Sequence, residues 1–305
     1  MNYTKCIDGF TTPPDSYVKC FYSVPNIKPH PDSVFELVEN RTISEKELDL
    51  LTFLFRVQFA TFSQLVKYCD LKGYSSLKKK LDFLCKKGVL LRFIFIDEYG
   101  NNSFIPQDAL VVYCLSDSGK AIIERYTSVF TYNWTYSVQY QNTGNVSDRL
   151  VNTEFYLHVL SSDKAKVTDI SSDYMLSYKR NILRADMVYR VLSLNQIYYV
   201  IANVIHPGTD VFSLRDLIHN YESFFATNLY KRFFPDAAAI PYVILICDND
   251  QELMNVCNEV IETSRMSNVL YTTPSRFELG LTHAGAFLVY NESSNQITDA
   301  VFQMF

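Results

Sequence analysis

Residues able to do chemistry are few in this chain, and they are scattered. Asp186 lies in a segment, 184–192, that ends at a short turn over 193–196. A strand-borne aspartate facing an acidic-x-Lys triplet on the next strand can hold Mg2+ and position a water for phosphodiester hydrolysis. Here the returning segment reads Val200-Ile201-Ala202-Asn203-Val204, with neither carboxylate nor lysine where the metal would need them. One carboxylate cannot hold a catalytic Mg2+ by itself, so no catalytic residue and no metal site are expected. His30, His158, His206, His219 and His283 are far apart in sequence, and His158 falls on a helical pattern where a core or interface histidine is the simpler reading. A Gly-rich phosphate loop, a GxSxG elbow, an HExxH motif and a Cys/His triad are all missing, so no cofactor is expected. What stands out instead is cationic: Lys78, Lys79, Lys80, Lys86, Lys87 and Arg92, a set suited to neutralising phosphates.

Those cations need elements to carry them. Ser44-Glu45-Lys46-Glu47 is a capping box, and Leu48, Leu51, Leu54, Phe55 and Val57 follow it at helical spacing. A second box, Thr61-Phe62-Ser63-Gln64, opens a short helix carrying Leu65, Val66 and Cys69. Gly73 interrupts the chain, and Ser75 is placed to cap a third helix that buries Leu77, Leu81, Leu84 and Cys85 and turns its lysines outward. Gly88 stands where a helix C-terminus favours a left-handed residue. Residues 89–96 then read as a strand, 97–102 as a polar turn and 109–115 as the returning strand, after which Ser116-Asp117-Ser118-Gly119 caps a helix through Ile122, Ile123 and Tyr126. Three helices followed by a β-hairpin is the order of a winged helix-turn-helix, expected over residues 44–126. In that arrangement Tyr74, Ser75 and Ser76 at the start of the third helix reach base edges in a major groove. Lys78, Lys79, Lys80, Lys86, Lys87 and Arg92 meet the backbone. Asp97 and Glu98 at the wing tip repel phosphate, so the helix is expected to do more than the wing.

The charge distribution points the same way. From Glu45 to Arg92 there are ten Lys or Arg against five Asp or Glu, a balance of +5 in a chain whose net charge is −5, which leaves −10 elsewhere. That excludes nonspecific coating of nucleic acid by the whole surface. At 305 residues, with 48% hydrophobic and 20% charged residues, two ordinary globular domains are expected. The high counts of Tyr and Phe, 22 each, are assigned to cores and interfaces. Seven cysteines form no CxxC and no metal-ligand spacing, which fits reduced core residues of a cytoplasmic protein. No apolar leader segment opens the chain, and the longest apolar run, 237–247, contains Pro241 and is too short to span a bilayer. No membrane association is expected.

Residues 1–43 hold five of the ten prolines and are expected to form an extended arm laid over a domain. Residues 127–146, with Trp134 and the Gly144-Asn145 break, read as a linker. Beyond it, 147–305 alternates helix and strand: a helix over 147–160, paired strands at 184–192 and 197–205, and an amphipathic helix over 213–232. A buried strand at 240–247, a helix opened by Asn249-Asp250-Gln251-Glu252, and strands at 269–272 and 285–290 complete an α/β domain with a mixed sheet.

In several short motifs the chain resembles the replication-relaxation-like proteins of bacterial plasmids and integrative elements. Tyr113-Cys114-Leu115-Ser116-Asp117-Ser118-Gly119 is similar to that group's Y-x-L-T-x-x-G exit from the wing, and Arg184-Ala185-Asp186 stands where it tends to show Arg-Pro-Asp. Leu214, Leu217 and Tyr221 match the spacing of one of its helices, and Val269-Leu270-Tyr271-Thr272-Thr273 resembles a late strand. The resemblance, over about residues 44–290, implies a winged helix fused to a restriction-endonuclease-like α/β domain working in replication or transfer of a mobile element. The family's acidic residue and lysine after the Asp have no counterpart here, which implies a degenerate nuclease-like domain. The expected function is therefore non-enzymatic binding of double-stranded DNA in replication control, mobilisation or transcription. The second domain would bind a protein partner or another copy of the chain. A protein–protein adaptor whose winged helix never touches DNA, or a metal-dependent nuclease using Asp186, would be the alternatives.

Overall fold

The computed structural model describes residues 5–7, 10–12, 17–21, 31–72, 76–97, 110–128, 143–162, 166–178, 181–264, 266–291, 293–294 and 296–302. The chain is α+β: helices combine with two larger sheets, one of them mixed parallel and antiparallel. It divides into two compact units, Met1–Cys6 with Thr11–Thr153 and Ile7–Phe10 with Glu154–Phe305.

The region expected as an extended arm holds regular structure. After the short ribbon of β1 (Lys5–Ile7) and β2 (Phe10–Thr12), strand β3 (Tyr17–Phe21) pairs antiparallel with a strand about seventy residues downstream, and α1 runs Pro31–Glu39. Pro31 occupies the first helical position, where its missing N–H is no loss, so proline here starts a helix rather than forbidding one. Helix α2 (Glu45–Val57) begins at Ser44, whose backbone N–H donates to the Glu47 carboxylate at 2.9 Å. Its buried face is Leu50, Leu51, Phe53, Leu54 and Val57, whereas Leu48 and Phe55 are only half-buried. The stripe is rotated from the expected one because α2 packs against both a strand and the later helix α5.

Strand β4 (Ala60–Thr61) leads into α3 (Phe62–Leu71), where Thr61 accepts from the Gln64 N–H at 3.2 Å and its own N–H donates to Gln64 Oε1 at 3.0 Å, the reciprocal box expected from sequence. Tyr68 of α3 stacks on Phe53 at 4.0 Å between centroids and donates to Asp49 at 2.7 Å, fixing α3 on α2. Helix α4 follows at Leu77–Lys86. Strands β5 (Leu90–Asp97) and β6 (Val111–Leu115) pair antiparallel from Leu90↔Leu115 to Ile94↔Val111, in a sheet of order β3-β5-β6-β4. The polar turn expected between them is, apart from Asp97, outside the described residues. Helix α5 (Asp117–Tyr126) is capped by Ser116, whose oxygen accepts from the Gly119 N–H at 3.1 Å.

Helix α6 (Thr143–Leu160) contains the division between the units. In the first unit Gln64 Nε2 donates to the Leu150 carbonyl at 2.8 Å, and the Thr153 hydroxyl donates to the Phe59 carbonyl at 2.9 Å.

The second unit is a seven-stranded sheet of order β13-β12-β11-β10-β9-β8-β7, with β7 Lys166–Tyr178, β8 Asn181–Ser193, β9 Gln196–Ile205, β10 Tyr242–Cys247, β11 Val269–Thr272, β12 Phe287–Asn291 and β13 Gln296–Ala300. β9, β10 and β11 are mutually parallel and the outer pairs antiparallel. The parallel strands are joined by α7 (Val211–Ala226) with the short α8 (Tyr230–Phe233), and by α9 (Asp250–Thr263). The single long helix expected over 213–232 is thus two, broken where Asn228 takes φ +54°. Leu214, Ile218, Tyr221, Leu253, Val256 and Val260 of these helices cover one face of the sheet over Ile201, Val243 and Leu245. Because side chains alternate along a strand, the other face is free to take a second layer. There Phe155 of α6 meets Tyr189, Phe287 and Phe277, the last from α10 (Pro274–Phe277), in edge-on contacts of 5.7, 6.4 and 5.6 Å. Among the described residues no helix is long and apolar enough to cross a membrane.

Candidate nucleic-acid interface

Helix α4 carries most of the lysines expected to meet phosphate, and its two ends are built differently. At its N-terminus Ser76, not Ser75, is the capping position. Ser76 takes the left-handed conformation (φ +59°), and no side chain among the described residues caps the helix. At the C-terminus the Gly88 N–H donates to the Cys85 carbonyl at 3.0 Å and the Val89 N–H to the Leu84 carbonyl at 2.9 Å. Gly88 supplies the required φ of +68°. This paired closure stops the helix sharply and sends the chain straight into β5. The Ser116 hydroxyl reaches the carbonyls of Gly88 and Val89 at 2.5 and 2.9 Å, so the cap of α5 also ties down the end of α4.

Leu81, Leu84 and Cys85 are buried, and burial pushes the Cys85 thiol up to about 11, leaving it protonated and inert at neutral pH. Three residues on one side of a ten-residue helix leave the opposite side to solvent. That side presents Lys78, Lys79, Asp82, Lys86 and Lys87 exposed, with Phe83 half-buried among them. The Lys87 ammonium lies 5.9 Å from the Phe83 ring centroid. Phe83 and Asp82 stand one helical turn from the lysines and become visible only once the buried stripe is located.

Two of the expected phosphate contacts are engaged inside the protein. Lys80 pairs with Glu47, the carboxylate of the α2 capping box, itself 6% exposed. Burial alone would raise the Glu47 carboxyl, but the hydrogen bonds from Lys80 and Ser44 together outweigh it and hold it below the usual range. Arg92, on β5, donates to Asp82 at 2.8 Å and so staples the hairpin to α4. The helical pattern could not place these two, because their partners lie ten and thirty-three residues away in sequence. Tyr74 and Ser75 lie outside the described residues.

The Lys80–Glu47 pair makes a stability prediction. A carboxyl held below its unfolded value stabilises fully above the ordinary carboxylate range and loses that contribution as pH falls through the lowered value. Lys80→Ala is expected to cost about 2 kcal/mol at neutral pH by leaving a buried carboxylate short of a partner. The difference from wild type should shrink in acid. Denaturant unfolding at neutral and acidic pH checks this, and a cost independent of pH would refute it.

In the second unit, Asp186 is built into the sheet. Its carboxylate accepts from the Val204 N–H at 2.9 Å, and its own N–H donates to Asn203 Oδ1 at 3.3 Å. Asn203 in turn donates to the fully buried Tyr221 hydroxyl at 2.7 Å, and burial pushes that phenol upward. The donor set at this place is one carboxylate, one amide and one phenol, which suits hydrogen bonding within the sheet. His158 packs on Phe277 at 5.2 Å and stands 3.7 Å from Glu154. Cys69, Cys85, Cys114, Cys247 and Cys257 are buried.

No family model matches the chain, and no curated protein matches it. Among solved structures it is similar to protein VC1899 from Vibrio cholerae, at 11% identity and a TM-score of 0.26, with 86% of this chain and 56% of that one covered.

Proposed function

We propose that this chain binds double-stranded DNA without catalysing a reaction on it, with residues 44–126 acting as a winged helix and α4 as the element that enters the major groove. One observation carries the reading: the solvent face of α4 displays Lys78, Lys79, Lys86 and Lys87, and its single acidic residue, Asp82, is neutralised by Arg92. A face of that kind meets phosphates. The helix order around it is the one in which such a helix docks. The motif resemblance to replication-relaxation-like proteins supports a role in replication control, mobilisation or transcription on a mobile element. On this reading the second unit is a restriction-endonuclease-like domain that has lost catalysis, because the returning strand supplies Asn203 where the sequence pattern of such a site needs a second carboxylate, and the Asp186 carboxylate accepts the Val204 N–H. That unit would meet a protein partner or a second copy of the chain, for which Leu194 (90% exposed) and Phe212 (74%) offer apolar contact.

The test is anisotropy binding of the full chain to a short duplex across a salt series. Four lysines on phosphates give a slope of log K against log salt of roughly −3 to −4. A second reading, a protein–protein adaptor, is favoured by the internal engagement of Lys80 and Arg92, which leaves fewer cations for DNA. Absence of binding even at low salt would select it.

A further inference from the structure

The outward face of α4 is cationic but not uniformly so. Lys79, Phe83 and Lys87 succeed one another at four-residue intervals, so a phenyl ring stands in line between two ammonium groups. The ring is outside the buried set of the helix, which is Leu81, Leu84 and Cys85, and the Lys87 ammonium lies 5.9 Å from its centroid. A phenyl ring has no donor for a phosphate and no donor or acceptor for a base edge. In a major groove, the one base feature it complements is apolar: the C5 methyl of thymine. The lysines on either side would fix the helix against the backbone without reading sequence.

We infer that Phe83 is the base-reading residue of α4 and that it recognises thymine by its methyl group. This rests on the DNA-binding reading given above. Asp82 does not compete for the role, because Arg92 holds its carboxylate against the start of the hairpin. The division of labour is then Phe83 for sequence, and Lys78, Lys79, Lys86 and Lys87 for affinity.

The experiment uses the full chain and a pool of duplexes with a randomised 16-base-pair core. The site that wild type selects is synthesised in two forms, one with thymine and one with deoxyuridine at every thymine position, which deletes only the methyl groups. Wild type should bind the thymine form about fourfold tighter for each methyl contacted, the worth of burying one such group. Phe83→Ala should bind both forms equally while keeping the wild-type salt slope, and Phe83→Leu should restore part of the preference. Equal binding of both forms by wild type would overturn the inference without depending on how any variant folds. So would Phe83→Ala retaining the preference. Steep, salt-sensitive binding with no selected sequence would overturn it too, while leaving the DNA-binding reading intact. Absence of binding to any duplex at low salt would remove that reading, and the inference with it.

Discussion

Alanine at Lys78, Lys79 and Lys86 together is expected to weaken duplex binding by roughly 10²- to 10³-fold near 0.1 M salt and to flatten the salt slope by about 3. Each lysine that releases a condensed counterion contributes close to 0.9 to the slope, so three of them dominate what α4 can supply. All three side chains are exposed, and stability should stay within about 0.5 kcal/mol of wild type. Lys80 is left out on purpose. Replacing it would break the pair with buried Glu47 and confuse a folding defect with a binding defect. The readout is anisotropy at several salt concentrations beside a thermal melt of the same protein. An unchanged slope in a folded variant would show that α4 is not the DNA-facing element.

The second large effect is on folding. Gly119 opens α5 where the chain passes against the end of α4. A Cβ added there would stand 3.0 Å from Leu115 Cδ2 and closer still to the Val89 carbonyl oxygen. Val89 cannot retreat easily, since its N–H closes α4 on Leu84 and its carbonyl receives the Ser116 hydroxyl and the Ser116 N–H. Gly119→Ala is therefore expected to destabilise the first unit by about 3 kcal/mol, at the upper end of what one inserted methyl costs in a packed site. The melting temperature should drop by roughly 10 °C. Ser118→Ala, one residue away and only half-buried, should change stability by less than about 0.5 kcal/mol. Equal melting of Gly119→Ala and wild type would mean that α5 can slide without loss. Gly119 thus has a steric reason that does not depend on any family likeness.

Much of the first unit was legible because its signals are local. The boxes at Ser44 and Thr61, the left-handed Gly88 and the Ser116 cap each need only four or five consecutive residues, and each sits at the end of an element. The same holds for Asn249, which accepts from the Glu252 N–H at 3.0 Å to start α9. Elements held by distant partners were not legible. Strand β7 includes Ser171, Ser172 and Asp173, shows no apolar alternation, and owes its place to eleven register pairs with β8. Asn228 breaks the long helix by taking a backbone conformation its sequence neighbours do not announce. At the candidate site the lysines were readable as composition. Which of the cations are held inside the protein was not, because Lys80 is taken by Glu47 of α2 and Arg92, on β5, is taken by Asp82 of α4.

Strand β3 has a consequence for how the chain is made. Phe21 pairs with Phe93, so 72 residues must leave the ribosome after β3 before its partner strand exists. At 5–20 residues per second that is about 4 to 14 s during which an extended segment waits with its ladder groups unmatched. During that interval α2 and α3 can form on their own caps, but the sheet beneath them cannot be completed. β3, the first-made strand of this sheet, can therefore pair only after the helices between it and β5 have been made. On a polysome, where neighbouring nascent chains are close together, that waiting strand is the part of the molecule most open to pairing with the wrong copy.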